Sequence, residues 1–82
     1  MYNVGMNGYE EIIKRARLEQ GLNRDAFAEI IGKASSTVGM WESGSNPPSV
    51  ATMVFLSLDN TKPLWVQLLF GKLLDLAIAA RA

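Results

Sequence analysis

Residues 22–44, LNRDAFAEIIGKASSTVGMWESG, constrain the fold more than any other part of the chain. Two short segments with helical spacing flank Gly32. In the first, Phe27, Ala28 and Ile31 recur at one-turn spacing and form an inner face. Asn23 stands ahead of it as an N-cap, and Leu22 before the cap suits a hydrophobic staple. The spacing predicts a helix over residues 24–31. In the second segment Val38 and Trp41 share a face and should be buried, while Ser35, Ser36, Gly39, Met40 and Ser43 lie toward other faces. Ala34 offers no side-chain acceptor, so this helix is expected to start at Ser35. Gly39 within it costs about 1 kcal/mol relative to alanine. Gly32 is expected in the left-handed region, where glycine reverses the chain without the strain an ordinary residue would meet.

The flanking residues read as the support for this pair. Residues 1–8 hold two glycines and two asparagines and are expected to form a mobile arm. From Tyr9 the pattern is helical: Tyr9, Ile12, Ile13, Ala16 and Gln20 follow i, i+3, i+4, i+7 spacing, with the apolar members facing the core. Glu10 and Glu11 come early and Lys14, Arg15 and Arg17 late, an order that suits the helix dipole, and Gly21 stops the helix. Residues 44–48, GSNPP, read as a turn. Ser49 then caps a fourth helix in which Val50, Met53, Val54 and Leu58 are expected inward, and Asp59, Asn60 and Thr61 break the pattern.

Pro63 suits the first turn of a final helical segment reaching about residue 80. Its strongly polar side chains are Gln67, Lys72 and Asp75, so most of its circumference is apolar and should be covered on two sides. The second cover is expected to be the same helix of a twin subunit, with Leu64, Trp65, Leu68, Leu69, Leu73 and Leu76 at a dimer interface. The pattern leaves open whether Gly71 splits this segment in two. The chain thus divides into an arm (1–8), a body (9–62) and a C-terminal helical segment (63–82) that completes the core and dimerises. The class is all-α.

Composition narrows the chemistry. The 82 residues suffice for one small domain, and 49% are apolar, a surplus expected to face another subunit in part. There is no cysteine and no histidine, which excludes disulfides, thiolate metal sites and histidine general-base chemistry. Glu10 with Glu11, and Asp25 with Glu29, are paired only by helix spacing and read as solvated surface charge. No catalysis and no cofactor are expected. The first residues lack the charged start and apolar run of a signal peptide, and three polar side chains interrupt an already short apolar segment, so neither export nor a membrane span is expected and the chain reads as cytoplasmic. The formal charge is zero, where a domain held to phosphates more often carries a basic surplus. Position matters more than the sum.

Two short helices closed by a glycine turn are the helix-turn-helix arrangement, whose second helix normally lies in the DNA major groove. Residues 9–71 resemble the XRE-type helix-turn-helix domain, the five-helix lambda-repressor-like fold of phage repressors, Cro proteins and many bacterial regulators. The resemblance rests on Arg17, Gly21-Leu22-Asn23, Phe27-Ala28-Glu29, Gly32, Ser36-Thr37-Val38, Trp41-Glu42, Gly44 and Pro48-Ser49, with Trp65 and Leu68-Leu69-Phe70-Gly71 similar to the closing segment. It implies an ion pair between Arg17 and Glu42 that ties the first helix to the end of the third. It also implies DNA contacts. Arg24 stands where relatives meet the phosphate backbone, a place a helix N-terminus favours. Ala34, Ser35, Ser36 and Met40 stand where the third helix faces base edges, and Thr37, Ser43 and Asn46 are placed for phosphates. Lys33 occupies a turn position the family usually fills with an apolar residue, where it can bury its stem and lift its amine toward phosphate.

The third helix departs from the family in carrying no Arg, Lys, Asn or Gln between Ala34 and Ser43. Hydroxyls discriminate bases weakly, and Met40 can press on a thymine methyl, so readout would lean on DNA shape. The function implied is a homodimeric, sequence-specific double-stranded DNA-binding regulator, a repressor on inverted half-sites. The alternative keeps the fold as a protein-interaction module, an antitoxin or anti-repressor, with weak or no DNA binding.

Overall fold

A computed structural model describes residues 8–81, without the side chain of Arg81. The described residues form five helices and no strand: α1 Tyr9–Glu19, α2 Arg24–Ile31, α3 Ser35–Ser43, α4 Val50–Leu58 and α5 Leu64–Arg81. They make two compact units, one holding α1–α3 (8–47) and the other α4 and α5. The fourth helix thus groups with the fifth, where the division at 62/63 kept it with the first three. The expected arm, apart from Gly8, lies outside the described residues.

In the first unit α1 and α2 each pack with α3. Asn23 caps α2 as expected, its side-chain oxygen accepting from the Ala26 N–H at 2.8 Å. All three helices end alike. A glycine with positive φ follows each one: Gly21 (70°), Gly32 (73°) and Gly44 (80°). The next residue's N–H then reaches back to a carbonyl of the last turn: Leu22 to Arg17 at 3.2 Å, Lys33 to Ala28 at 2.9 Å and Ser45 to Met40 at 3.0 Å. Gly32 is where this matters most, since it alone sets the turn between α2 and α3. The buried apolar side chains are Tyr9, Ile13, Phe27, Ala28, Ile31, Val38 and Trp41, in agreement with the spacing, while Ile12 and Ala16 are half-buried. Gln20 is exposed. The Tyr9 hydroxyl is buried with no partner among the described residues, and burial, then the Glu10 charge, push its pKa above the ordinary value.

In the second unit α4 packs along α5. The Ser49 hydroxyl accepts from the Thr52 N–H at 3.1 Å, the expected cap. The inward set of α4 differs from the one the spacing predicts. Met53 and Leu56 are buried, whereas Val50, Val54 and Leu58 are exposed. The physical reason is that the whole segment VATMVFLSL is uncharged and mostly apolar, so its pattern carries little information about which side turns in. The final segment is a single helix of 18 residues, and Gly71 does not split it. It starts at Leu64, with Pro63 just before it supplying the first carbonyl, to Val66 N–H at 3.0 Å. Its buried stripe is Val66, Leu69, Phe70, Leu73 and Ala77. Leu69 and Leu73, expected at a dimer interface, therefore belong to the chain's own core, because the i, i+3, i+4, i+7 stripe through Val66 needs them. Leu64 and Leu68 remain exposed, and Trp65 and Leu76 are half-buried. No helix of the described residues is long and apolar enough to cross a membrane.

Candidate nucleic-acid interface

The α1–α3 unit is locked by one carboxylate. Glu42, near the end of α3, has a side chain only 1% exposed. Its Oε2 accepts from Arg17 Nε at 2.7 Å and its Oε1 from Arg17 Nη2 at 3.0 Å, a two-pronged pair between α3 and α1. The third Arg17 bond, from Nη1 to the Leu22 carbonyl at 2.9 Å, fastens the link between α1 and α2. Arg24, opening α2, donates from Nε to the same Glu42 Oε1 at 3.3 Å. One carboxylate thus joins all three helices. Burial alone would push the Glu42 carboxyl up, but the hydrogen bonds and charges of Arg17 and Arg24 outweigh it and hold the carboxyl below the ordinary glutamate value. The same hydrogen bond raises the Arg17 pKa. The pair implied by the resemblance is present. The Arg24 link, across eighteen residues, had no signature in residue spacing.

The clamp fixes which side of α3 turns outward. Val38, Trp41 and the Glu42 side chain are turned in. Ser36, Met40 and Ser43, at i, i+4 and i+7, make an exposed face with Gly39 between them. Met40 is 41% exposed, an apolar side chain left on a surface. A Cβ on Gly39 would meet nothing within 4 Å, so glycine leaves that face shallow without being required by packing. At the start of α3, Ala34 provides no side-chain cap and the first turn holds no acidic residue, so no side chain of the helix's own start caps the N–H groups there.

The expected contact residues fall into three groups. Arg24 and Ser35 are brought together: with Arg17, Asn23 and Asp25 they line one open polar depression. The Arg24 side chain is 53% exposed, and its tie to Glu42 runs through Nε, with the two Nη groups at the far end of the fork. Ser36 and Met40 lie on the exposed face, Ala34 is exposed beside it, and Thr37 is half-buried. Lys33, Ser43 and Asn46 make up the third group. Lys33 is exposed. The Ser43 hydroxyl donates to the Met40 carbonyl at 3.1 Å and pairs with the Ser45 hydroxyl at 2.8 Å, leaving it mainly acceptor capacity. Asn46 is exposed, with its amide nitrogen 3.8 Å from the Met40 sulfur.

This geometry does one thing well. It holds a short helix rigidly by one side and leaves the other side and its uncapped start open, with a cation braced alongside. A duplex can meet all three elements: phosphate at the guanidinium and the helix start, base edges at the outer face. The helix-turn-helix family matches the chain over residues 13–58, from within α1 to the last residue of α4 and more than half of the sequence. Neither a curated protein nor a solved structure matches it. The matched range takes in Arg17, the Gly32 turn, all of α3 and Glu42, and leaves out α5. With its three-helix clamp and outward α3, the chain belongs to the XRE-type helix-turn-helix family of DNA-binding regulators.

Proposed function

We propose that the chain is a cytoplasmic transcriptional repressor that binds double-stranded DNA as a homodimer at inverted half-sites. The observation that carries this reading is the exposed face of Ser36, Met40 and Ser43 on α3, with the Glu42-bound Arg24 lining a depression with Ser35 at the helix start. Two copies of α3 would enter successive major grooves about 34 Å apart. Arg24 serves phosphate and sets affinity; Ser36 and Met40 meet base edges, with Ala34, Ser35 and Thr37 at the margin and Lys33, Ser43 and Asn46 near phosphate. Hydroxyl and methionine contacts discriminate less than a bidentate side chain, so groove shape carries part of the preference. On α5, Leu64 and Leu68, flanked by Trp65 and Leu76, are available to a twin subunit. Selection of bound duplexes from random sequence tests the proposal: enrichment of an inverted repeat is expected, and none at low salt would contradict it.

A second reading, a protein-interaction module of the antitoxin or anti-repressor kind, is favoured by the zero net charge and the absence of any cation on α3. No retardation of duplex DNA at low salt, with a protein partner recovered instead, would select it.

A further inference from the structure

The α4 helix has two sides that differ in what covers them. One side holds the buried Met53 and Leu56 with the half-buried Thr52 and Ser57. It is turned to α5, where a Cβ on Gly71 would lie 3.9 Å from the Ser57 Cβ. The other side is equally apolar and faces outward. Ala51, Val54, Phe55 and Leu58, spaced i, i+3, i+4 and i+7, line a groove closed at one end by Asp59 and Asn60. Phe55 is 68% and Leu58 75% exposed. No charged residue occurs between Val50 and Leu58, and a helix apolar on every side is ordinarily buried on every side.

We propose that this outer face of α4 is where a second copy of the chain docks. The inference rests on the homodimer reading above and sets α4 at the contact in place of the exposed Leu64 and Leu68 of α5, because Phe55 and Leu58 line one continuous groove. A two-fold contact sets a patch against itself, so the patch must be its own complement. An uncharged face meets this condition, because no like charges are brought together across the axis. The chain's zero net charge adds no long-range repulsion between copies. A lipid surface fits less well. Membrane-lying helices carry Lys and Arg on a polar face, and α4 has neither; the charged group at its rim is the acidic Asp59.

The area sets the strength. Phe55, Leu58 and their smaller neighbours offer roughly 400 Å² of apolar surface per copy. With the rim, two copies bury on the order of 1,000 Å², the lower end for a specific pair. The dimer is therefore reversible and dilution separates it.

Sedimentation velocity of the full chain without DNA, from low micromolar to millimolar concentration, tests this. Wild type should pass from monomer to dimer, with a Tm that rises with concentration. Phe55→Asp and Leu58→Lys, both at exposed positions, should each weaken self-association more than tenfold and abolish the concentration dependence of Tm, with helix content by circular dichroism unchanged. If either variant loses helix content, Phe55→Ala takes its place with the same expectation. A wild-type monomer at every concentration would overturn the proposal. So would a dimer that survives both α4 changes but is broken by Leu64→Glu with Leu68→Glu; the homodimer reading would then stand on α5. Because no duplex is present, the outcome is independent of whether the chain binds DNA.

Discussion

The two compact units are built from the same materials and differ in how their helices are held. In the α1–α3 unit each helix has a polar side and an apolar side, and a buried carboxylate shared by two arginines fixes their mutual setting. In the α4–α5 unit the contacts are apolar and α4 has no charged residue at all. The first arrangement specifies one orientation, because a buried charge has few places where it is satisfied. The second supplies cohesion without a strong directional preference, and leaves Phe55 and Leu58 in water. Rigidity sits where a helix must be presented at a fixed angle, and spare apolar surface sits where a partner is expected.

The largest effects should separate the units by two phenylalanines. Phe27→Ala empties a fully buried site and should cost about 3–5 kcal/mol in urea unfolding. Phe55→Ala, measured in dilute solution, should change stability by less than about 0.5 kcal/mol. Comparable losses would mean that the α4 face is not free. Next comes the clamp. Arg17→Met should cost about 3 kcal/mol, at the low end for a broken buried pair because Arg24 stays beside Glu42. Arg17→Met with Glu42→Leu should lose less than the single change, since no buried charge is left unpaired and the half-exposed Arg24 is hydrated.

The clamp also predicts a pH dependence. Glu42 is held below the ordinary value, so its contribution is complete above a pH of about 4.3 and is lost as pH falls through the lower folded value. Tm should drop below about pH 4, and Glu42→Gln should make that drop shallower. The capping changes should be smaller and alike in the two units: Asn23→Ala and Ser49→Ala should each cost about 1 kcal/mol. Smallest, and opposite in sign, are Gly39→Ala and Gly71→Ala. Neither new Cβ meets an atom closer than ordinary contact, so each should raise stability by up to about 1 kcal/mol.

The units also differ in how far their structure could be read from residues alone. In α1 and α2 the polar and apolar positions alternate in phase with the helix, so Ile13, Phe27, Ala28 and Ile31 were legible as core, and the capping residues marked the boundaries. In α4 the cap at Ser49 was equally legible, but Val50, Val54 and Leu58 could not be told from Met53 and Leu56 by contrast with polar neighbours. In α5 the apolar stripe was visible, but not the division of its leucines between the chain's own core and the outside. Arg24, Ser36 and Met40, expected from the family resemblance to meet DNA, are exposed. The Arg24–Glu42 bond depends on how the chain closes in space, which residue spacing does not encode; the bond from the Ser43 hydroxyl to the Met40 carbonyl, three residues back on the same helix, is local.

The central claim is that the first unit offers one side of α3 to a duplex. Backbone amide shifts of the isotope-labelled full chain, followed as a selected duplex is added at low salt, test it most directly. The largest shifts are expected at Arg24 and across residues 34–40, with the outer face of α4 changing less. A bound duplex that leaves Arg24 and residues 34–40 unmoved, or no duplex bound at any salt, would contradict it.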